Sequence, residues 1–302
     1  MSLFIQGMRR SGTTILHDAL LEDPKLRCFY EPLREQDVSV GGGSGARTTD
    51  AFAESRALRE QFQRVRYPDV PIDEFNWGGP RDPDLELAED LPAHCRDFLA
   101  FLIEQARQVA IKETRLHHKV PVLAEIDPEA RLVHLVRDPR AVTASIMYGR
   151  RGREADRFPT ADAFFEARSD RKLWSSRRIS ELLIEKGVAD VSDPPDFMRV
   201  LLVWKATFAA TKSGGETTLD DRYLRLRHED LSMEPVATLG RLYEFIGRPL
   251  PAAVSAWAIE NIRGPRSIPF EDDPRWAQAA ERLGMREAAH EAGYTGLGAT
   301  LA

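Results

Sequence analysis

The residues best suited to chemistry in this sequence form a short turn near its start. Gly7 and Gly12 bound this turn, which follows the apolar residues 3–5 and precedes apolar residues at helical spacing. A strand, a glycine-bounded turn and a helix are therefore predicted in that order. Backbone N–H groups and the positive end of the helix dipole make such a turn an anion-binding site. Four side chains of the turn can donate further hydrogen bonds: Arg10, Ser11, Thr13 and Thr14.

The two glycines have the spacing of the phosphate-binding pattern Gly-x-x-x-x-Gly-Lys-Ser/Thr, but one residue departs from it. Thr13 stands where the lysine of that pattern reaches the β- and γ-phosphates of a nucleoside triphosphate. The basic side chain lies instead within the turn, as Arg10. The turn is thus better suited to one phosphate-like group than to a triphosphate. The alternative is an ordinary helix N-terminus that carries glycine and threonine by accident.

A second candidate anion site follows the strongest strand signal, residues 131–136. Arg137 stands at the end of that strand, and Ser145 lies two turns into the helix predicted after it. Both side chains could reach one phosphate, and a guanidinium–phosphate contact is stronger than a neutral hydrogen bond. The alternative is a local ion pair between Arg137 and Asp138, with Ser145 packing on a neighbouring helix.

Strands and helices alternate along the rest of the chain, which predicts an α/β fold with three αβα layers around a parallel sheet. We expect one domain over residues 1–302. Ligands of such sheets bind beyond the carboxyl ends of the strands. The predicted strands are 3–5, 27–30, 108–112, 131–136 and 223–227. The predicted helices after the first are 50–64, 92–107, 117–126, one after 137–140, 161–186, 197–212, 235–246 and 251–261, followed by a polar tail.

The composition limits the classes of function. The 302 residues are 42% hydrophobic and 30% charged, which is typical of a soluble globular protein. A net charge of −6 argues against broad nucleic-acid binding, so any anion site must be a local basic cluster. Two cysteines predict neither a disulfide framework nor a cysteine-based metal site. With no segment of membrane-spanning length and no room before the first strand for a signal peptide, we expect a cytoplasmic protein.

Together the two anion motifs resemble those of sulfotransferases that use 3′-phosphoadenosine 5′-phosphosulfate (PAPS). In that family a basic residue followed by Ser-Gly-Thr-Thr binds the 5′-phosphosulfate, and here this is Arg10 with residues 11–14. A second motif, Arg-Asn/Asp-Pro with a serine eight residues after the arginine, binds the 3′-phosphate. The matching residues here are Arg137, Asp138, Pro139 and Ser145. The resemblance also explains the missing lysine, because the donor is a phosphosulfate.

Further parts of the chain match the family less closely. Lys112 resembles the strand-end lysine that many members use on the departing phosphosulfate oxygen, and His228 replaces a tyrosine that lies by the nucleotide. The tail with Arg266 resembles that of Golgi-type carbohydrate and tyrosyl-protein members, and we expect Arg266 to contact the nucleotide. The arginine-lysine-glycine segment of cytosolic members is not recognisable.

The resemblance predicts Glu31 as the catalytic base. Cytosolic aryl and steroid members carry a histidine two residues after the lysine, where this chain has Thr114. Tyrosyl-protein and several bacterial members use a glutamate after the second strand, where Glu31 stands. A carboxylate near the donor can accept the proton of an attacking hydroxyl. The alternatives are His117 or His118 as the base, with Glu31 a cap or an ion-pair partner of Arg34.

The resemblance therefore implies a PAPS-dependent sulfotransferase that needs no metal. Glu31, Lys112 and Arg10 would be catalytic. The acceptor would be a small-molecule, lipid or carbohydrate hydroxyl, and lid segments at 37–80 and 150–195 would shape the acceptor pocket. Aromatic residues of these segments could line the acceptor pocket or belong to the core: Phe75, Trp77, Phe158, Phe164 and Phe165. The alternatives are a small-molecule kinase with Asp138 as magnesium ligand, and a non-catalytic nucleotide-binding module.

Overall fold

A five-stranded parallel sheet lies at the centre of the protein. The computed structural model describes residues 1–33, 46–70, 83–149, 158–168 and 176–297. The strands are β1 (Ser2–Gln6), β2 (Arg27–Tyr30), β3 (Val109–Glu113), β4 (Arg131–Val136) and β5 (Tyr223–Arg227). Their order in the sheet is β2-β3-β1-β4-β5, and all neighbours are parallel. All five predicted strands are thereby confirmed, and no predicted strand end differs from the observed one by more than one residue.

Alternate residues of each strand face opposite layers of helices. Phe4 packs in one apolar cluster with helices on its face, whereas Leu3 and Ile5 pack in another on the opposite face. Because the side chains of a strand alternate with a period of two, helices on both faces of a sheet bury neighbouring side chains of its inner strands. All five residues of β1 are buried. The predicted αβα class is confirmed.

Helices connect the strands and cover both faces of the sheet. The chain orders them as α1 (Thr13–Leu20), α2 (Ala46–Arg66), α3 (Pro83–Leu87), α4 (Ala93–Ile103), α5 (Val120–Ile126), α6 (Pro139–Met147), α7 (Ala161–Phe165), α8 (Ser176–Glu185), α9 (Asp196–Gly214), α10 (His228–Met233), α11 (Pro235–Phe245), α12 (Ala252–Asn261), α13 (Arg275–Arg282) and α14 (Arg286–Glu291). A π-helical turn, Gly215–Leu219, and a 3₁₀ turn, Asp220–Arg222, lead from α9 into β5. None of the described helices is long and apolar enough to cross a bilayer.

Two helix predictions near the C-terminal half are wrong. The single helix expected over 161–186 is two helices, because α7 ends at Phe165 and the Ala167 carbonyl then accepts the N–H of Asp196 (2.9 Å) instead of a helical partner. The expected polar tail contains α13 and α14. Trp276 and Leu283 of this segment are buried against α9, because the apolar residues recur at helical spacing within a polar composition.

The described parts of the predicted lids pack as ordinary core. Helix α2 covers most of the described part of 37–80 and buries Leu58 and Phe62 against α4. In the segment 150–195, three aromatic side chains belong to the core cluster around α9 and α13: Phe158, Phe164 and Phe165. Their burial agrees with the core alternative, and the lid segments stay a prediction. Phe75 and Trp77 lie outside the described residues, and the prediction of a single domain stays a prediction.

Candidate active site

The turn between β1 and α1 needs glycine at both of its ends, for two different reasons. At Gly7 the backbone passes so close to β4 that a Cβ atom would lie 2.4 Å from the Leu135 carbonyl oxygen. Gly12 has a left-handed backbone (φ 93°), and a Cβ there would meet the His228 ring 2.3 Å away. The turn is therefore folded tightly against β4 and α10. Its amides precede the first turn of α1, as an anion site requires.

Arg10 joins the two predicted anion motifs. Its Nε donates a hydrogen bond to Ser145 Oγ (2.8 Å), and its carbonyl oxygen accepts one from the Arg137 guanidinium (3.0 Å). Trp204 Nε1 in turn donates to the Arg137 carbonyl (3.0 Å), which fixes the end of β4 against α9. Residues 10, 137 and 145 thus form one cationic cluster at the carboxyl edge of the sheet, as their positions after β1 and β4 predicted.

The charges around Arg137 come from its neighbour Asp138, from α10 and from the C-terminal segment. Burial lowers the pKa of Arg137, while the negative charges of Glu229 and Asp138 oppose this and the positive charge of Arg266 adds to it. The exposed Arg266 is therefore close enough to influence this cluster electrostatically. Its contact with a nucleotide stays a prediction.

Glu229 links the second motif to the C-terminal segment. Its Oε1 accepts the backbone N–H of Asp138 (3.1 Å), and its Oε2 accepts the hydroxyl of Tyr294 (2.6 Å). The guanidinium of Arg227 lies over the Tyr294 ring, 4.8 Å from its centroid. These contacts hold the start of α6, and hence the Arg137 end of β4, in place. The sequence predicted no role for either Glu229 or Tyr294.

His228 packs on the anion-binding turn as a neutral ring. Burial and the nearby charge of Arg137 lower its pKa to about 4, and its Nε2 lies 3.3 Å from Ser232 Oγ. No hydrogen-bond partner reaches its Nδ1 among the residues that the structure describes. The ring therefore shapes the turn at Gly12, and its predicted contact with a nucleotide stays a prediction.

Glu31 and Lys112 form an ion pair at the ends of β2 and β3. The Lys112 ammonium donates to Glu31 Oε1, and the Glu31 N–H donates to the Lys112 carbonyl (2.7 Å). Their side chains are 13% and 2% exposed, so this pair is shielded from water. Burial opposes the charge of Lys112, but the attraction and hydrogen bond of Glu31, together with the influence of Tyr30 and Glu113, outweigh it and raise the pKa of Lys112. The sequence placed both residues at this edge without predicting that they pair.

The backbone at Glu31 adopts an uncommon conformation. Its φ is 42°, in the left-handed region where residues other than glycine are rare. The following segment is fixed by Glu113, whose Oε1 accepts the Leu33 N–H (2.8 Å), and by Arg59, which donates to the Pro32 carbonyl. Such backbone strain is often retained where a side chain must be held in one place. Arg34, the alternative ion-pair partner, lies outside the described residues.

Two residues beside the pair were not recognised as functional candidates. The Tyr30 hydroxyl lies 3.0 Å from Thr14 Oγ1, and the Tyr30 ring lies beneath the Lys112 ammonium at 4.2 Å. Burial, followed by the charge of Glu31, raises the pKa of Glu113 to about 7. Their positions in the sequence could have identified them, because Tyr30 and Glu113 are each next to a predicted catalytic residue at the end of a parallel strand.

The two histidines offered as alternative bases lie elsewhere. His117 is buried and contacts Gln6 (3.1 Å), Thr211 (2.9 Å) and the Thr114 carbonyl (3.1 Å), and burial lowers its pKa well below the usual value. Burial and the charge of Lys119 lower the pKa of His118 to about 4. His117 thus ties the chain after β3 to β1 and α9, a structural role.

Asp138 is occupied by its neighbour Arg140. Its Oδ1 accepts the Arg140 N–H (2.8 Å) and caps α6, while its Oδ2 accepts the Arg140 guanidinium (2.8 Å). Both oxygens are used, which argues against the kinase alternative in which Asp138 binds magnesium. No group of three or more His, Cys, Asp or Glu side chains positioned to hold a metal occurs in the described ranges.

The parallel fold and the joined anion motifs define an α/β protein of the phosphate-binding-loop type. Residues 2–183 match the model of the sulfotransferase family, and the chain belongs to that family. The resemblance inferred from the two motifs is thereby confirmed.

Individual relatives and one solved structure agree with this family. Carbohydrate sulfotransferase 3 of Tetronarce californica is 28% identical over 169 residues, 53% of this chain and 32% of the relative. The omega-hydroxy-beta-dihydromenaquinone-9 sulfotransferase Stf3 of Mycobacterium tuberculosis (strain CDC 1551 / Oshkosh) is 22% identical over 272 residues, 81% and 62% of the two chains. The crystal structure of sulfotransferase STF9 from Mycobacterium avium shares the fold, with a TM-score of 0.52, 17% identity and coverage of 96% and 76%. The chain spans about a third of the length of the carbohydrate sulfotransferases that it matches.

Proposed function

We propose that this protein transfers a sulfuryl group from PAPS to an acceptor hydroxyl and releases adenosine 3′,5′-bisphosphate. The observation that carries this proposal is the contact of Arg10 with both Ser145 and Arg137. This contact supports a 5′-phosphosulfate site and a 3′-phosphate site that lie side by side. A donor with phosphate groups on both sides of its ribose fits this pair of sites.

On the donor side, Arg10 and the amides and hydroxyls of residues 11–14 would bind the phosphosulfate. Arg137 and Ser145 would bind the 3′-phosphate. The neutral His228 ring and the exposed Arg266 lie beside these groups and would contact the nucleotide. These groups need no metal to balance the charge of the donor, because three cations converge on it: Arg10, Lys112 and Arg137.

On the acceptor side, Glu31 would take the proton of the hydroxyl as its oxygen attacks sulfur. The new O–S bond forms while the bond between sulfur and the phosphate oxygen breaks, and Lys112 stabilises the negative charge that develops on that oxygen. The two residues are paired in the structure. Lys112 must therefore turn from Glu31 to the donor, and the same movement releases the Glu31 carboxylate to act as a base.

The acceptor class follows from the relatives and not from the described residues. Relatives are named for carbohydrate and for menaquinone-type acceptors, which supports a carbohydrate or lipid hydroxyl here. We propose a small-molecule acceptor of one of these classes and a cytoplasmic site of action. A screen of sugars, lipid alcohols and phenols with radiolabelled PAPS identifies the class directly.

Calorimetry separates this proposal from the kinase. We expect binding of adenosine 3′,5′-bisphosphate that is unaffected by EDTA, and weaker binding of ATP with magnesium. Preference for ATP with magnesium would contradict the proposal. Radiolabelled PAPS then separates an enzyme from a non-catalytic module, because only an enzyme transfers label to an acceptor in the screen.

A further inference from the structure

Tyr30 contacts both halves of the proposed site. Its hydroxyl lies 3.0 Å from Thr14 Oγ1 in the anion-binding turn, and its ring centroid lies 4.2 Å from the Lys112 ammonium. It directly precedes Glu31 in the chain, and it is only 4% exposed.

The ring is held in place from two sides. Tyr30 is the register partner of Lys112 in the pairing of β2 with β3. The His17 ring of α1 meets the Tyr30 ring edge-on, with centroids 5.2 Å apart. A cation over the face of an aromatic ring is attracted by the ring's negative π surface, and the attraction grows when water is excluded. Lys112 is 1% exposed, so its ammonium depends on this ring and on Glu31.

We propose that Tyr30 is a positioning residue that couples occupation of the anion-binding turn to the location of the Lys112 ammonium. When the Tyr30 hydroxyl donates to Thr14, the Thr14 hydrogen is available to an anion in the turn, and such chains of hydrogen bonds strengthen one another. The same contact fixes the ring under Lys112. An anion bound by Thr14 thereby fixes the Tyr30 ring, and the Lys112 ammonium moves over this ring from Glu31 to the donor. This inference rests on the proposed function.

The test removes the hydroxyl and keeps the ring. Tyr30→Phe should lower the single-turnover rate about threefold to tenfold at saturating donor and acceptor, the effect of one neutral hydrogen bond. The KM for the acceptor should not change. Tyr67→Phe is the control, because the Tyr67 hydroxyl also donates a hydrogen bond to a side chain, that of Asp97 (2.7 Å), and Tyr67 belongs to neither half of the proposed site. It should leave the rate unchanged.

A double-variant cycle then tests the coupling. Thr14→Val removes the partner of the Tyr30 hydroxyl and a contact to the donor. If the two residues act through their shared hydrogen bond, Tyr30→Phe should have little further effect in the Thr14→Val background. Rate losses that multiply in the double variant would show that the two hydroxyls act independently, and would overturn the proposal.

A measurement without turnover distinguishes failure of this inference from failure of the proposed function. The rate at which acetic anhydride modifies Lys112, followed by mass spectrometry, should change when adenosine 3′,5′-bisphosphate binds. In Tyr30→Phe this response should be reduced at saturating ligand. An unchanged response in the variant refutes the coupling, even if the protein transfers sulfuryl groups. A reduced response in a protein without transferase activity supports the coupling and refutes only the proposed function.

Discussion

Replacing Glu31 by glutamine separates its two roles, that of a base and that of a partner of Lys112. Glutamine keeps the length of the side chain and an oxygen that can accept a hydrogen bond, but it cannot take a proton from the acceptor. We expect the single-turnover rate to fall by about a hundredfold to ten-thousandfold, the usual share of general base catalysis. Affinity for adenosine 3′,5′-bisphosphate should change little, because Glu31 is assigned to the proton of the acceptor.

The same substitution should destabilise the fold, because the structure places Glu31 against a buried ammonium. Removing one member of a buried ion pair typically costs about 3–5 kcal/mol, and glutamine should cost less because its oxygen still faces Lys112. The double variant Glu31→Gln/Lys112→Met removes the buried charge as well. It should recover part of the free energy of unfolding but none of the turnover.

The assay is single-turnover transfer from radiolabelled PAPS, with urea unfolding of the same preparations. Asp23→Asn is a matched control, since Asp23 is also buried and paired, with Arg248 at 2.8 Å, at the opposite end of the sheet. It should lower stability and leave transfer unchanged. If Glu31→Gln keeps a rate within tenfold of the natural protein while its stability falls, Glu31 is only a structural partner of Lys112, and the assignment of the base is wrong.

Four further outcomes are expected. Arg137→Ala should weaken binding of adenosine 3′,5′-bisphosphate by about 1.5–3 kcal/mol, and calorimetry with adenosine 5′-phosphate should show a smaller loss if the 3′-phosphate assignment is correct. EDTA should leave turnover unchanged, and a loss that magnesium restores would favour the kinase. The pKa of Glu113 is raised from 4.5 to about 7, so the folded protein binds this proton more tightly than the unfolded chain does. The stability that this proton contributes to the protein is therefore lost as the pH rises through that interval. Between pH 5 and pH 8 the unfolding free energy of the natural protein should therefore fall by about 2–3 kcal/mol more than that of Glu113→Gln. Equal changes with pH in the urea unfolding of the two proteins would contradict this. His117→Ala should lower the melting temperature through its lost hydrogen bonds yet leave single-turnover transfer nearly unchanged, and an inactive but folded variant would reopen the histidine alternative.

The strands were predictable from the sequence because most of them are short, largely apolar runs bounded by residues that break regular structure, and β5 alternates leucine with arginine. Knowing that parallel strands end at one edge was then enough to bring Arg10, Lys112 and Arg137 together. The helices of the C-terminal segment were missed because their apolar residues are spaced within a polar composition. Trp276, for example, is buried among aromatic side chains from α7 and α9, a contact that depends on the tertiary fold.

Pairing between side chains was the least predictable part of the site. Lys112 and Glu31 lie far apart in the chain, and their contact follows from the register of β2 with β3. Glu113 was passed over because a charged residue beside a strand-end lysine usually faces water. In a strand covered on both faces, however, adjacent side chains are both buried, and all five residues of β3 are.

The link from Asp138 through Glu229 to Tyr294 has a consequence for how the protein is made. Asp138 is made before Tyr294, which follows it roughly 150 residues later. At about 5–20 residues per second, synthesis of that stretch takes on the order of ten seconds or more. Until Tyr294 is made, the Glu229 carboxylate lacks its tyrosine partner, so the nascent chain should carry an unfinished form of the proposed 3′-phosphate site. Ribosome-bound chains stalled before and after Tyr294 should differ in retention on immobilised adenosine 3′,5′-bisphosphate, because only the longer chain can complete the contacts of Glu229.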